Sequence, residues 1–431
     1  MIRHAMYNLR GGFLIRPLTI ALTLGGAGAL LSSLEESFPV VSAWVPTVLF
    51  PSHADPQVAQ VILGGIAASI MTVVSIVFAI LLMTLTLASM QFSPRIIVSF
   101  SRDRVTQWTL GIFLGTFSYC MAALPAARSL PHPFAPVATV LGAMGLALAC
   151  VGLLLFFIHH ISQAISVNHI VDRIAEETEA MMDEMMPWPY RTSHLKDAEP
   201  LRPNASEVAI ASKDSGYIRF VDIRRLVAFA RQYHVSIRVL RRVGHFVPAG
   251  IPLMMVSKGN RLPAEGIAEL LATFDFGPTR MLQQDVEFGV LQIVDIALKA
   301  ISPAVNDPTT AISCVDQLSR ILIRFASRNP PEELLYDPPG VVRASIGWIH
   351  FERLLDAAFE QIRMYSKTDV AVSLRLLRAL GDIAVSTPEP EFRRVLVERG
   401  LRVVAGCGEK LGEEELRELR VRQATLESSI G

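Results

Sequence analysis

The distribution of hydrophobic and polar residues divides the chain into two parts. Charged residues are scarce from residue 13 to residue 158, whereas the part from residue 172 to residue 427 has the charge density of a soluble protein. Four long apolar segments lie in the first part, at residues 13–34, 58–89, 108–127 and 134–158. Crossing about 30 Å of hydrocarbon takes about 20 apolar residues in a helix. The pattern therefore predicts four transmembrane helices within residues 1–160.

The second segment is longer than a helix perpendicular to the bilayer requires, so it must tilt or protrude. Small and hydroxylated residues recur along it at steps of three, four or seven, which places them on one face of a helix. This stripe has two interpretations, close packing of helices or the lining of a pore. The candidate pore-lining residues are Ser69, Thr72, Ser75, Thr86 and Ser89.

Small residues also recur in the last two segments. Gly111 and Gly115 form a glycine pair one helical turn apart in the third segment, and Gly145, Ala149 and Gly152 continue the pattern in the fourth. Both sets predict helix packing. The span interiors carry no ionisable residue, which argues against a proton-coupled or ion-coupled carrier and leaves a passive pore open.

The basic residues of the short flanking segments predict the orientation, because cytoplasmic loops are enriched in Lys and Arg. The first connecting loop carries acidic residues and no base, and Arg128 after the third segment is the one base that argues the other way. We therefore expect both termini in the cytoplasm. The bases that support this orientation are Arg3, Arg10, Arg16, Arg95, Arg102 and Arg104.

The rest of the chain predicts a cytoplasmic α+β part. Residues 161–204 read as a helical stalk and linker, residues 205–260 as a small β-rich domain of alternating runs, and residues 261–431 as a mainly helical domain that ends in a helical bundle. The bundle comprises predicted helices at residues 341–365, 370–385, 391–404 and 413–428.

The densest polar pattern of the soluble part lies between Gln284 and Ala311. Asp307 before Pro308 predicts a helix N-cap followed by proline at the first helical position. The alternative interpretation gathers four oxygen-bearing side chains around a cation or a basic partner. Those four residues are Asp285, Asp295, Asn306 and Asp307.

Composition excludes several classes of function. The formal net charge of zero gives no basic excess for nucleic acid, and the four cysteines show neither a close pair nor metal-ligand spacing. No nucleophile motif, phosphate loop or zinc-binding helix is present, so we expect no cofactor, no metal site and no catalytic residues. An enzyme is the least favoured class.

Several local sequences together resemble a family of bacterial integral membrane proteins defined by a domain of unknown function. They are the segment from Ala88 to Arg95 with Arg102-Asp103-Arg104, the third-segment residues Leu110-Gly111 and Gly115-Thr116-Phe117, and residues 285–311. The resemblance covers most of the chain and implies four spans in a bacterial cytoplasmic (inner) membrane. It supplies no activity for these residues.

Two polar surfaces are therefore expected on the cytoplasmic side, one beside the membrane and one on the soluble part. We expect them to meet, so that the soluble part gates or braces the membrane helices. The candidate coupling residues beside the membrane are Gln91, Ser93, Arg95, Arg102 and Asp103. Their counterparts are the four polar residues between Gln284 and Ala311.

Two functions remain open from the sequence. One is a homo-oligomeric channel-like protein with a cytoplasmic regulatory domain. The other is a membrane-anchored signalling or scaffold protein that binds a cytoplasmic protein partner. Both place the lipid bilayer around the first 160 residues.

Overall fold

The computed structural model divides into two compact units, Met1–Ser166 and Val167–Gly431, and each is treated by itself. The structure describes residues 15–38, 55–91, 104–129, 133–164, 166–186, 207–328, 333–337, 340–387, 389–408 and 410–428.

The described residues of the first unit are mainly helical. Among its described residues, four helices are long and apolar enough to cross a membrane, which agrees with the four predicted segments. Helix α2 has 36 residues and is therefore about 54 Å long, well beyond the thickness of the hydrocarbon core. The helices are α1 (Ile15–Ser37), α2 (Pro56–Gln91), α3 (Arg104–Ala123), followed by a 3-10 turn at Leu124–Ala126, and α4 (Val137–Ala164).

Helices α1 and α3 pack against each other at very short range. A Cβ atom built on Gly111 would lie 2.6 Å from Cδ1 of Ile20, and one on Gly115 would lie 2.4 Å from Cδ1 of Leu24. The predicted packing role of this glycine pair is thus seen within one protomer. The packing predicted for the fourth segment is not seen within one protomer. Gly145, Ala149 and Gly152 are exposed, and a Cβ on either glycine would meet nothing within 4 Å.

The second unit begins with helix α5 (Val167–Met185), which lies within the segment predicted to be a helical stalk and linker. Its apolar face packs against α8 (Val286–Ala300) and α9 (Pro308–Ala326), and Ile170, Ile174 and Met182 are buried. Two arginines on α9 and one just after it add ion pairs: Arg320 to Asp172 (2.9 Å) and Glu179 (2.7 Å), Arg324 to Asp183 (2.6 Å), and Arg328 to Asp183. The helix is an integral part of the second unit because both its apolar and its charged faces have partners there.

Two sheets form the β-rich part. The five-stranded sheet has the order β1-β5-β3-β8-β7, with β3 and β8 parallel and the other pairs antiparallel, and the three-stranded sheet has the order β4-β2-β6. The strands are β1 (Glu207–Ala211), β2 (Gly216–Val221), β3 (Ile237–Val239), β4 (Phe246–Val247), β5 (Pro252–Ser257), β6 (Phe274–Gly277), β7 (Leu334–Asp337) and β8 (Val341–Ser345). Helices α6 (Ile223–Gln232) and α7 (Ala264–Leu271) lie between strands in the chain.

The sheets extend beyond the predicted domain of residues 205–260. Strands β6, β7 and β8 all come from the part predicted to be helical, and the helix predicted to start at Val341 is wrong over its first turns. Val341–Ser345 is a strand instead, because Ala344 pairs with Ile237 and is buried in the core that the sheets share with α6. A short run of this kind is ambiguous by periodicity alone.

The carboxyl-terminal helices follow the predicted pattern closely. They are α10 (Phe351–Tyr365), α11 (Val370–Ser386), α12 (Pro390–Cys407) and α13 (Glu413–Ser428). Their buried residues recur at helical spacing, such as Leu376, Leu380 and Ile383 on α11. These helices pack against one another, and α10 and α11 join them to α8 and α9 of the same unit.

Candidate functional site

The hydroxylated stripe of α2 points away from the other helices of its own unit. Ser69, Thr72, Ser75 and Thr86 are exposed, whereas Leu63 and other residues on the opposite face of the helix are buried. The hydroxyls of Thr72, Ser75 and Thr86 donate to the carbonyls four residues earlier on the same helix, at 2.8–3.1 Å. Ser89 lies on α2 as well, but its side chain is outside the described residues.

One edge of this stripe borders a groove of about 470 Å³ between α2 and α4, with Phe113 of α3 among the lining residues. The walls are apolar apart from Ser69 and Cys150, and Gly65 lines the groove on the α2 side. The groove therefore offers an apolar surface with two weakly polar groups.

A buried carboxylate joins α1 to α4. Helix α1 runs three residues beyond its predicted end and carries Glu35, which is 2% exposed. The carboxylate accepts from the amides of Ala138 and Thr139 and from the Thr139 hydroxyl, at 2.8–3.1 Å. The expectation that the spans hold no buried ionisable residue is thus wrong at this helix end. Glu35 satisfies free amides at the N-terminus of α4, which is a structural role.

The next residue of α1, Glu36, pairs with Arg128. Arg128 is the base that argued against the predicted orientation. The ion pair does not change its count, because the bias concerns Lys and Arg and is not a rule of net charge.

In the second unit, Asp285 is the centre of a buried charge cluster. It is 3% exposed, accepts from Nε and Nη2 of Arg280 at 2.7 and 2.8 Å, and caps α8 by accepting from the amide of Phe288 at 3.2 Å. Glu287 accepts from Arg242 at 2.9 Å and from Arg280 at 3.0 Å. Burial alone would raise the pKa of Glu287, but the two guanidinium groups lower it overall.

A tight turn brings the cluster together. Gly244 has φ of +87°, and a Cβ atom there would lie 2.2 Å from Oδ2 of Asp285 and 2.7 Å from Nη2 of Arg280. Glycine is required both for the backbone conformation and for the close approach. The adjacent His245 has its pKa lowered to about 4 by burial and by the charges of Arg242, Arg353 and Arg241, against the opposing effect of Glu287. The imidazole is therefore neutral near pH 7.

The four polar residues between Gln284 and Ala311 do not surround one cation. Asp285 precedes α8 and Asp307 follows it, and the 15 residues of this helix separate them by about 22 Å. Asp295 is half-buried between them on α8. In the described part of the chain no group of three or more His, Cys, Asp or Glu is arranged to hold a metal ion.

Helix capping accounts for two of these four residues, Asp285 at the start of α8 and Asp307 at the start of α9. Asp307 caps α9 by accepting from the amide of Thr310 at 3.1 Å and from its hydroxyl at 2.6 Å, with Pro308 at the first helical position. The hydroxyl of Thr310 is the main cause of the lowered pKa of Asp307. Asn306 has φ of +50° in the turn before the cap. The predicted N-cap at Asp307 is confirmed.

The coupling residues beside the membrane stay predictions. Ser93, Arg95, Arg102 and Asp103 lie outside the described residues, and Gln91 is the last residue of α2, with a side chain that is also outside them.

Sequence reasoning missed Arg242, Arg280 and Glu287. No periodic signal links them, since Arg242 and Glu287 are 45 residues apart. The three arginines at and just after the C-terminal end of α9 were also missed, although their spacing carried a signal. Arg320, Arg324 and Arg328 recur every four residues, and α5 carries acidic residues on a matching face.

Comparison with known proteins identifies relatives over nearly the whole length. A family model described as "Predicted membrane protein (DUF2254)" matches residues 10–382. The protein MT1328 of Mycobacterium tuberculosis (strain CDC 1551), described as uncharacterized, is 31% identical over 410 residues, which are 93% of this chain and 77% of that protein. Mb1321c of Mycobacterium bovis, also described as uncharacterized, is 30% identical with the same coverage. No solved structure matches.

Proposed function

Because the chain belongs to the DUF2254 family of predicted membrane proteins, we propose that several copies assemble in the bacterial inner membrane into a permeation pathway. The observation that carries this proposal is the exposure of Thr72, Ser75 and Thr86 on the face of α2 that points away from its own protomer. Residues that line a pathway must face away from the core of their own subunit.

A single copy gives the stripe no polar surroundings. Each hydroxyl is satisfied by its own helix, so the stripe tolerates lipid, but lipid does not explain its regular spacing. Copies of α2 placed around an axis would pack closely at the small residues Gly65 and Ala79. Such a pathway would have both hydroxyl groups and apolar side chains such as Ile76 on its wall, and rings of apolar side chains gate pores by excluding water.

The orientation belongs to the same proposal. Both termini lie in the cytoplasm, because six bases of the short flanking segments favour that side and Arg128 alone opposes it. The second unit, Val167–Gly431, would then be a cytoplasmic regulatory part.

Cross-linking tests the assembly. All four native cysteines are buried, so a cross-linker should react with an added exposed cysteine and not with the native ones. We expect Ala79→Cys, on the exposed face of α2, to give covalent oligomers with a short bis-maleimide in native membranes. Ala67→Cys is the matched control, because Ala67 is 5% exposed and packs inside the protomer. If Ala79→Cys gives only monomers with cross-linkers of every length, the result would contradict assembly through this face of α2.

Flux measurements test the pathway. Thr72→Val and Thr86→Val remove the exposed hydroxyls without changing volume, and we expect each to alter potassium or small-solute efflux from proteoliposomes severalfold. Thr84→Val is the control, because Thr84 is 4% exposed on the opposite face of α2 and also bonds its own helix. Liposomes that stay tight with the parent protein would refute the proposal. A reproducible cytoplasmic partner in pull-downs, combined with tight liposomes, would favour the alternative of a membrane-anchored scaffold.

A further inference from the structure

The groove between α2 and α4 is a space that the side chains of the protomer leave unfilled. Small residues line both of its walls, Gly65 and Ser69 on α2 and Ala147 on α4. A Cβ atom on Gly65 would meet nothing within 4 Å. The volume of about 470 Å³ falls in the range of about 300–1,000 Å³ that is usual for small-ligand sites. The groove is therefore large enough to hold a ligand.

The groove is open on the outside of the first unit and closed on its inner side. Val61 and Val151 line it and are 73% and 59% exposed, whereas Phe113 of α3 lines it and is fully buried. Helix α3 packs against both α2 and α4, and these two helices also contact each other. A third helix is about 10–12 Å across and cannot enter between two helices in contact. A helix of a second copy would cover the groove without filling it.

The position and length of the groove match the hydrocarbon of one leaflet. Its lining residues run from Val61 to Val73 on α2 and from Ala147 to Leu154 on α4, all within two candidate membrane spans. Val61 lies close to the start of α2 at Pro56. From Val61 to Val73 the helix rises about 18 Å, at about 1.5 Å per residue. Half of a hydrocarbon core of about 30 Å is about 15 Å, so one extended acyl chain spans this length.

The walls favour an apolar occupant. The lining residues are apolar apart from Ser69 and Cys150. The Cys150 thiol lies 3.3 Å from Oγ1 of Thr116, and a serine hydroxyl in a helix can donate to the carbonyl four residues earlier, as that of Ser75 does at 2.9 Å. Neither polar group therefore needs a ligand. Apolar cavities exclude water, so hydrocarbon is the material that fills the groove.

We propose that the groove binds one acyl chain of a phospholipid from the leaflet on the Pro56 side of α2. Lipid tails are as apolar as the side chains, so a lipid is retained only where it packs more closely than in the bilayer. A chain in the groove meets α2, α3 and α4 together, and it makes more close contacts there than on a lipid-facing surface of one helix. The inference rests on the membrane location of the first unit and not on the permeation pathway proposed above.

Photolabelling of the full-length protein tests the site. The protein is reconstituted in vesicles of phosphatidylethanolamine and phosphatidylglycerol in which a small fraction of the phosphatidylethanolamine carries a photoactivatable group in one acyl chain. Mass spectrometry of peptides then locates the label. We expect residues 61–73 and 147–154 to be labelled more heavily than Leu22 and Leu30, which are exposed on α1 outside the groove.

Variants that fill the groove should displace the chain. Ala147→Leu and Gly65→Leu add carbon atoms from opposite walls, and we expect each to lower the labelling of the groove by about fivefold, because the chain loses its close contacts. Ala149→Leu is the matched control. Ala149 is exposed on the same helix and does not line the groove, so this variant should leave the labelling unchanged.

Native mass spectrometry of the detergent-purified protein gives a second readout. A bound phospholipid should persist in the parent protein and in Ala149→Leu, and it should be lost in the two groove variants. Labelling of the groove no heavier than that of Leu22 and Leu30 would overturn the proposal, because the lipid contact would then be that of any exposed surface. Unchanged labelling in both groove variants, or an equal loss in Ala149→Leu, would overturn it as well. The cross-linking and flux experiments on α2 are read separately from these outcomes.

Discussion

Removing the carboxylate of the buried Asp285–Arg280 ion pair should destabilise the second unit, because a buried guanidinium then loses a partner, and Asp285→Asn tests this with little change of shape. Asparagine is as good an N-cap as aspartate, so the bond from the amide of Phe288 can persist. The variant instead leaves the buried Arg280 with Glu287 as its one remaining carboxylate among the described residues. Breaking a buried pair costs about 3–5 kcal/mol. Because Glu287 still compensates Arg280, we expect roughly 2–4 kcal/mol.

Asp307→Asn is the matched control. Asp307 is also an aspartate N-cap of a long helix, but its partner is the neutral Thr310 and no buried guanidinium depends on it. Since the cap survives, the loss should stay within about 0.5 kcal/mol. For a unit of this size about 2–4 °C of Tm corresponds to 1 kcal/mol, so Asp285→Asn should lower Tm by roughly 4–16 °C and Asp307→Asn by less than about 2 °C.

Thermal unfolding of the full-length protein in detergent, followed by intrinsic fluorescence, measures both variants. Trp348 lines a small cavity beside Asp285 and Arg242 and reports on this region. Asp285→Asn combined with Arg280→Gln should recover part of the loss, because no unpaired guanidinium is then buried. Equal Tm shifts for Asp285→Asn and Asp307→Asn, or no recovery in the double variant, would refute the reasoning.

Two further predictions concern packing and pH. Gly28→Ala should lower the Tm of the first unit, because the added Cβ would lie 2.6 Å from the backbone oxygen of Tyr119, at a cost of about 1–3 kcal/mol. Gly26→Ala is the control and should leave the Tm unchanged, since its Cβ would meet nothing within 4 Å. Equal shifts of Tm in the two variants would contradict this prediction. The folded protein holds the pKa of His245 below that of the unfolded chain, so the unfolded state binds more protons and stability falls as pH drops from about 6.5 toward about 4. His245→Gln should reduce the Tm difference between pH 7 and pH 5, and an unchanged difference would argue against it.

Much of the helical architecture could be predicted because its signals are local. A run of 20 or more apolar residues specifies a membrane-spanning helix wherever it occurs, and the spacing of buried positions on α11 and α12 is visible within a few turns. The cap at Asp307 needs only the neighbouring Pro308 and the helix that follows. Strand β8 could not be placed in this way, since five residues that alternate weakly fit a helix as well as a strand.

The candidate site depended on contacts that sequence spacing does not encode. Arg242 meets Glu287 across 45 residues, and Arg320 meets Glu179 across 141 residues. Asp285 and Asp307 were grouped as candidate oxygen ligands, yet both cap helices, and Asp285 is in addition buried in an ion pair with Arg280.

The sequence by itself determined where the chain prefers lipid, because the transfer of apolar side chains is a property of composition over one segment. It also determined which helices form and where several begin. Only the tertiary structure decided that the stripe of α2 faces outward, that α5 belongs to the second unit, and that Arg242, Arg280 and Arg353 meet Asp285 and Glu287. Those outcomes depend on which surfaces meet in space, and desolvation and Coulomb attraction between groups distant in the chain act only after the fold has brought them together.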